Sequence, residues 1–255
     1  PISSVIHFAG LKSVNESIDN PLSYWDSNVI GSIELFKIMA KYDCKTIVFS
    51  SSASIYGNND NKHLDESSHI KPINPYGKTK VAIEEILNDL FNSSRQKWKI
   101  ANLRYFNPIG AHPSGIIGES PIKVSNNIFP LLIKVASGEK KYINIYGNDW
   151  PTYDGTGVRD YIHVMDLAKG HIAALNHLEN NSSKIININL GTGIGTSVLE
   201  LIKQFEEANN VKIPFKFVSK RKGDVASVIA DNSFALKCLN WQPKKSIREM
   251  CIDGW

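Results

Sequence analysis

The sequence predicts an α/β protein, a doubly wound parallel sheet with a smaller α/β lobe, and three observations carry that prediction. Strand-like and helix-like segments alternate through the first hundred residues, the pattern of crossover-connected parallel strands. Two of the apparent strands run out into small-residue turns, His7-Phe8-Ala9-Gly10 and Ser50-Ser51-Ser52-Ala53, and open parallel sheets place their ligands at such carboxyl ends. After Asn107-Pro108 the texture changes to Gly- and Pro-rich loops around short elements, such as His112-Pro113-Ser114-Gly115 and Asn148-Asp149-Trp150-Pro151, which marks a second lobe.

Taken in order, the elements begin with a strand over 4–8, Ser4-Val5-Ile6-His7-Phe8, and a long amphipathic helical stretch over 21–42. A strand at 46–50, Thr46-Ile47-Val48-Phe49-Ser50, leads through a polar loop to Pro75, a residue suited to the first turn of a helix. The helix runs over 76–91 and a strand over 100–106 comes next. These segments define a first domain over 1–108. The second lobe covers 109–255, and a helix at 164–178 with a strand at 185–190 returns the chain to the first sheet over about 160–190. Pro1 stands directly before the first strand, and Gly254-Trp255 directly after a short helix at 247–251, so more chain is expected beyond both ends.

Composition narrows the functional classes. With 255 residues, 42% hydrophobic and 21% charged, the chain is long enough for one large domain or two small ones. Its net charge of +4 comes from 29 basic and 25 acidic residues spread along the chain, with Lys220-Arg221-Lys222 the one tight cluster, so neither a nucleic-acid nor a membrane surface is expected. No apolar run approaches the roughly 20 residues of a membrane span. The three cysteines, Cys44, Cys238 and Cys251, have no metal-ligand spacing and read as reduced packing residues of a cytoplasmic protein; no metal site is expected.

The chemistry concentrates in Tyr76-Gly77-Lys78-Thr79-Lys80. Four residues apart on a helix, the Tyr76 phenol and the Lys80 ammonium share one face. A phenol with its ordinary pKa of about 10 becomes a base near neutrality only if roughly 4 kcal/mol favours its anion. One cation at about 4 Å, in an effective dielectric near 20, supplies about that much. Alone, this spacing describes many solvated helices. With the strand-ending serines two dozen residues earlier, whose hydroxyls can relay a proton, it describes a proton-handling pair. His7 reads as a packed, hydrogen-bonded histidine, and Gly10 as a point where backbone approaches a ligand closely.

Five motifs, His7-Phe8-Ala9-Gly10-Leu11-Lys12, Ser50-Ser51-Ser52-Ala53, Tyr76-Gly77-Lys78-Thr79-Lys80, Leu103-Arg104-Tyr105-Phe106-Asn107-Pro108 and Gly157-Val158-Arg159-Asp160-Tyr161-Ile162-His163-Val164, stand in the order and spacing of the UDP-glucose 4-epimerases. The chain resembles that family, a branch of the extended short-chain dehydrogenase/reductases, over essentially its whole length. The resemblance implies a Rossmann-type dinucleotide-binding domain, a substrate-binding lobe and NAD as cofactor. The family's opening G-x-x-G-x-x-G turn and its ribose-binding acidic residue are not found in this sequence. Gly191-Thr192-Gly193-Ile194-Gly195 comes too late to replace that turn and reads as a backbone turn between strand and helix. A sheet lacking its N-terminal strands and a chain that binds NAD poorly are therefore expected.

By resemblance, Phe8, Ala9, Gly10, Leu11, Lys12, Ser27, Ser52, Tyr76, Lys80 and Phe106 line the NAD, with Ser27 standing where relatives often have Asn. Tyr76, Lys80 and Ser52 are the catalytic set, and Ser52 and Tyr76 also touch the sugar. Asn107, Asn127, Asn144, Ile145, Tyr146, Arg159, Arg221 and Asp224 complete the substrate site. The last three are chemically apt on their own terms, since guanidinium forks suit a pyrophosphate and a carboxylate suits paired ribose hydroxyls. The implied reaction is reversible 4-epimerisation of UDP-galactose and UDP-glucose through a 4-keto intermediate. Dehydratases of the class follow the serine motif with an acidic residue, whereas Ala53-Ser54 stand here. Other UDP-sugar epimerases, acting on N-acetylhexosamine or glucuronate sugars, and a fragment that binds nucleotide without turnover are the alternatives; Val228, beside the expected sugar C2 position, bears on the first. A homodimer through the 21–42 and 76–91 stretches is also implied.

Overall fold

The computed structural model of the protein describes residues 2–59, 63–93, 97–119, 127–221 and 223–255; Lys222 of the basic cluster lies outside them. In chain order the elements are β1 (Ser4–His7), α1 (Val14–Asp19), α2 (Pro21–Tyr24), a π-helical turn (Trp25–Ile30), α3 (Gly31–Lys41), β2 (Thr46–Ser52), a 3-10 turn (Ala53–Ile55), α4 (Pro75–Asn92) and β3 (Lys99–Tyr105). They continue with β4 (Asn107–Ile109), α5 (Ile128–Ala136), β5 (Ile143–Tyr146), β6 (Val158–His163), α6 (Val164–Glu179) and β7 (Lys184–Leu190). The last are β8 (Gly195–Ser197), α7 (Val198–Asn209), β9 (Phe215–Val218), β10 (Ser227–Val228), α8 (Ser233–Leu239) and α9 (Ile247–Gly254). Among the described residues, no helix is long and apolar enough to cross a membrane.

The chain divides into two compact units. The first takes Pro1–Tyr105, Lys169–Leu190 and Asp231–Trp241. Its sheet is parallel throughout, in the order β1-β2-β3-β7, as the alternating pattern predicts. Register decides which side chains meet at the sheet's end: Ser52 pairs with Tyr105 and Tyr105 with Leu190. The serine-rich end of β2 and the end of β3 therefore finish in one row at the carboxyl edge. Under the sheet, Ile47, Phe49 and Ile100 pack with Val29, Phe36 and Met39 from one helical stretch and Ile83 and Leu87 from α4. Ile83 and Leu87 are almost fully buried, each contributing about 1.5–3 kcal/mol of apolar burial, so α4 is held to the sheet along its length.

The stretch predicted as one helix over 21–42 is helical, but it is not uniform. Between α2 and α3 it widens into the π-helical turn, which shifts the phase of the side chains beyond it. Asn28 and Val29 face inward from this turn while Ser27 and Ile30 stay exposed.

The second unit takes Phe106–Ala168, Gly191–Ala230 and Gln242–Trp255. Strands β10, β6 and β4 run parallel in that order, β8 pairs antiparallel with β6, and β5 pairs parallel with β9. Phe129 and Leu132 of α5, Leu201, Ile202 and Phe205 of α7, and Met250 and Cys251 of α9 form its core with Ile143, Ile145 and Tyr161. Reciprocal capping boxes, Ser197 with Glu200 and Ser246 with Glu249, start α7 and α9 and satisfy orphan amides at both helix ends. All three cysteines are free thiols, Cys44 and Cys251 buried and Cys238 half-buried.

Candidate active site

Helix α4 begins where the sequence signals it. Asn74 caps it by accepting from the Gly77 amide at 2.8 Å, and Pro75 occupies its first turn. Gly77 is there for a steric reason, since a Cβ at that position would lie 2.7 Å from the carbonyl oxygen of Ser54. Only a glycine lets the first turn of α4 close onto the end of β2. That approach brings the half-buried Tyr76 near Ser52, whose hydroxyl favours the phenolate.

One turn further, the Lys80 side chain is 4% exposed. Its ammonium donates to the Ser50 carbonyl at 2.6 Å and lies 4.8 Å from the centroid of the Phe49 ring and 5.8 Å from that of Tyr76. Tyr105, at the end of β3, bonds His171, on whose ring Phe8 rests at 4.7 Å. The structure therefore gathers Ser52, Tyr76 and Lys80 at the carboxyl edge of the first sheet.

The electrostatics differ from the simple ion-pair argument. Burial pushes the Tyr76 phenol above its ordinary value, and the Ser52 hydroxyl pulls it back only in part. Burial likewise depresses Lys80 to about 8, against the opposing pull of Glu84. Both members of the pair are desolvated, which disfavours the charged form of each. The net effect on Tyr76 is a raised pKa, opposite to the expectation from its neighbouring charge.

His7, buried and bonded to Ser32 at 2.9 Å, is held down to about 4 by burial and by the Lys80 charge. The imidazole is neutral when folded and takes a proton below 6.5 when unfolded, so its contribution is lost as pH falls from 6.5 through 4. A drop from 6.5 to about 4 corresponds to about 3 kcal/mol. Urea unfolding at about pH 7 and about pH 4.5, on either side of the unfolded histidine's titration, is expected to show a smaller stability loss for His7→Gln than for the parent; equal losses would contradict it.

A residue that sequence reading passed over organises the glycine loop. Asn28, 1% exposed, accepts from the Leu11 amide at 2.7 Å, donates to the Leu11 carbonyl at 3.0 Å and donates to Thr79 Oγ1 at 3.2 Å. Thr79 in turn donates to the Tyr76 carbonyl at 2.7 Å. One amide thereby joins the Phe8–Lys12 loop to the first turn of α4. Gly10, at φ +151°, fits against it, because a Cβ there would sit 2.9 Å from Asn28 Oδ1. Asn28→Ala is expected to cost about 2–3 kcal/mol and to speed hydrogen exchange at the Leu11 amide, with amides at the centre of β3 changing only through the global loss.

The remaining cofactor candidates of this unit are exposed: Phe8, Ala9, Gly10, Lys12 and Ser27, with Leu11 half-buried. Ser27 points away from Asn28, its buried neighbour.

In the second unit, Phe106 is buried and Asn107 half-buried in β4, opposite Tyr161. Asn127 is exposed just before α5 and Asn144 exposed in β5. The Ile145 side chain is 1% exposed within the core, so only its backbone is available to a ligand. The Arg221 guanidinium stacks 3.6 Å from the centroid of the half-buried Tyr146 ring. Arg159 donates to the Val158 carbonyl at 2.8 Å and lies 3.9 Å from the Asp224 carboxylate. Val228 pairs with Arg159 across β10 and β6. Among the described residues no cluster of His, Cys, Asp or Glu is arranged to hold a metal ion.

A Tyr-x-x-x-Lys helix closed onto the serine end of a parallel strand is the site of the short-chain dehydrogenase/reductase class. A family model described as GDP-mannose 4,6 dehydratase matches residues 1–253. A UDP-glucose 4-epimerase of Cyamopsis tetragonoloba is 52% identical over 252 residues, which is 99% of this chain and 72% of that protein. The UDP-glucose 4-epimerase of Bacillus subtilis (strain 168) is 48% identical over 254 residues, 100% of this chain and 74% of its own length. Among solved structures, the UDP-glucose 4-epimerase of Stenotrophomonas maltophila, with bound NAD and formylated UDP-arabinopyranose, superposes with a TM-score of 0.96 at 47% identity, covering 100% of this chain and 75% of that one. The enzyme from Bifidobacterium longum, in complex with NAD+ and UDP, gives 0.95 at 45%, covering 99% and 75%. The chain belongs to the UDP-glucose 4-epimerase family of extended short-chain dehydrogenase/reductases.

Proposed function

We propose that the protein catalyses the NAD-dependent, reversible 4-epimerisation of UDP-galactose and UDP-glucose through a 4-keto intermediate. The observation that carries this reading is the closure of the Tyr76–Lys80 turn of α4 onto the serine end of β2, with the Lys80 ammonium on the Ser50 carbonyl at 2.6 Å and 5.8 Å from the Tyr76 ring centroid. It is supported by relatives near 50% identity that are UDP-glucose 4-epimerases, and by Ala53-Ser54 where a dehydratase of the class is expected to place an acid.

The residues present fit NAD. The exposed backbone at Ala9 and Gly10 has no room for a side chain on its Asn28 side, which suits close approach of a flat ring or ribose, and Phe8, Leu11, Lys12, Ser27 and Phe106 are the further candidates to hold it. When bound, NAD would supply reversible hydride acceptance and a cationic ring whose charge would favour the phenolate that burial disfavours. Tyr76 then accepts the proton of the sugar 4-hydroxyl, directly or through Ser52, and gives it back after the hexose has presented its other face. Lys80, charged below about pH 8 and anchored on Ser50, keeps a positive potential at the phenol.

For the substrate, Arg159 and Arg221 are the candidates for the pyrophosphate, Asp224 for ribose hydroxyls, and Asn107, Asn127, Asn144, Tyr146 and the Ile145 backbone for the remaining polar and stacking contacts. We assign residues 1–108 to dinucleotide binding and 109–255 to substrate binding, with about 160–190 returning to the first domain. A cytoplasmic homodimer through α3 and α4 completes the proposal, in keeping with the exposed Ile30 and Ile38 on the helical stretch that ends in α3.

Incubation with UDP-galactose and NAD, then NMR of the sugar anomeric protons, is expected to show conversion to UDP-glucose. Absence of conversion with NAD in excess would refute the reading.

A further inference from the structure

Behind the proton-handling pair, on the same helix, lies a buried charge that the reaction does not use. Glu84 stands one turn beyond Lys80 on α4 and is 8% exposed. Its carboxylate accepts from the Ser51 hydroxyl at 2.5 Å and from Arg104 at 3.1 Å through Nε and 2.7 Å through Nη2. Arg104, 2% exposed, uses Nη1 on the Tyr56 hydroxyl at 3.0 Å and the Glu66 carbonyl at 3.2 Å. Tyr56 donates to Asn189 Oδ1 at 2.7 Å, and Asn189 donates to the Glu66 carboxylate at 2.7 Å and to the Leu64 carbonyl at 2.8 Å. This one network spans α4, β2, β3, β7 and the 63–68 loop.

Two features give it a bearing on the chemistry. Ser51, which Glu84 holds, lies between Ser50, whose carbonyl takes the Lys80 ammonium, and Ser52, whose hydroxyl favours the Tyr76 phenolate. The other charged or titratable groups at Lys80 are His7 from β1, which is neutral, and Tyr76 from α4, a phenol that burial keeps neutral. Glu84 is therefore the negative charge that favours the ammonium.

We propose that Glu84 is a positioning residue for the proton-handling pair: its bond to Ser51 and its bidentate grip on Arg104 fix the serine strand end that carries the Ser50 carbonyl and Ser52, and it sets a carboxylate one helical turn from Lys80. The assignment rests on the proposed function for the role of Lys80, while its physical content does not depend on turnover.

The test is an NMR titration of lysine ε-carbons in the full chain, with the Lys80 signal assigned by its loss in Lys80→Arg. In Glu84→Gln the Lys80 midpoint is expected to fall by about one pH unit, and the alkaline limb of kcat/KM to move down with it. Glu84→Gln leaves Arg104 without a carboxylate, so its thermal midpoint is expected to drop. Glu84→Leu with Arg104→Leu removes both charges, which restores stability in buried pairs of this kind, and because a cation leaves with the carboxylate its Lys80 midpoint is expected between those of Glu84→Gln and the parent. A Lys80 midpoint unchanged from the parent in Glu84→Gln would overturn the proposal. A parent chain that fails to convert UDP-galactose would remove the proposed function and leave the titration result standing.

Discussion

Tyr76→Phe is expected to lower kcat for UDP-galactose by about 10²–10⁴-fold, with the fold and UDP affinity near those of the parent. The hydroxyl is the only group removed, and the ring that packs at the start of α4 stays in place. General acid–base catalysis by a positioned side chain contributes a rate factor of that size, equivalent to about 3–5 kcal/mol of barrier. The same group must accept the 4-hydroxyl proton and later return it, so the loss falls on kcat in both directions and the equilibrium ratio of the two sugars is unchanged. Ser52 cannot substitute, because its hydroxyl has no base behind it once the phenol is gone. Circular dichroism and calorimetric titration with UDP separate this outcome from misfolding. Less than a tenfold change in kcat would remove Tyr76 from the chemistry.

The largest stability effect is expected at Asp160, which no sugar or cofactor argument singles out. Its carboxylate is fully buried, and burial pushes its pKa up against four donors. The Thr192 amide and hydroxyl bond one oxygen at 2.7 and 2.6 Å, and the Gly193 and Ala230 amides bond the other at 2.8 and 3.1 Å. The Gly191–Gly195 turn is thus moulded onto one side chain, and a Cβ at Gly191 would lie 2.6 Å from Asp160 Oδ2. Asp160→Ala leaves these donors facing an empty pocket and is expected to destabilise the second unit by about 4 kcal/mol. Asp160→Asn is expected to cost nearly as much, because its amide group would point N–H at backbone N–H. Urea denaturation monitored by tryptophan fluorescence measures both, and a loss below about 1 kcal/mol in each, the ordinary effect of a point substitution, would contradict the reading.

Features governed by local physics were legible in the sequence, and features governed by the assembled fold were not. The parallel sheet and α4 were readable because the strand–helix alternation and Pro75 are local signals that tertiary packing reinforces. Asn28 was hidden because a regular helical period assigns faces only on a regular helix, and the π-helical turn breaks that period where Asn28 turns inward. The Glu84–Arg104 pair runs against the apolar-inside rule, so no hydrophobic pattern signals it. At Tyr76 the largest influence is burial, which depends on the whole fold and which no local spacing of Tyr and Lys reveals. The Gly191–Gly195 segment was readable as a turn, yet the residue that anchors it lies some thirty positions earlier, beyond the reach of local rules.

Gly77 has an outcome for the kinetics. Because the peptide of Ser54 touches the first turn of α4 with no side chain between them, the backbone that carries the Tyr76 phenol, the proposed proton acceptor, is fixed by the scaffold rather than by the visitor. Ordering entropy for that group is spent during folding, and docking of a sugar nucleotide need not recruit it. An enzyme arranged in this way devotes its slow motions to turning the hexose over, so solvent viscosity should leave the proton-transfer step untouched.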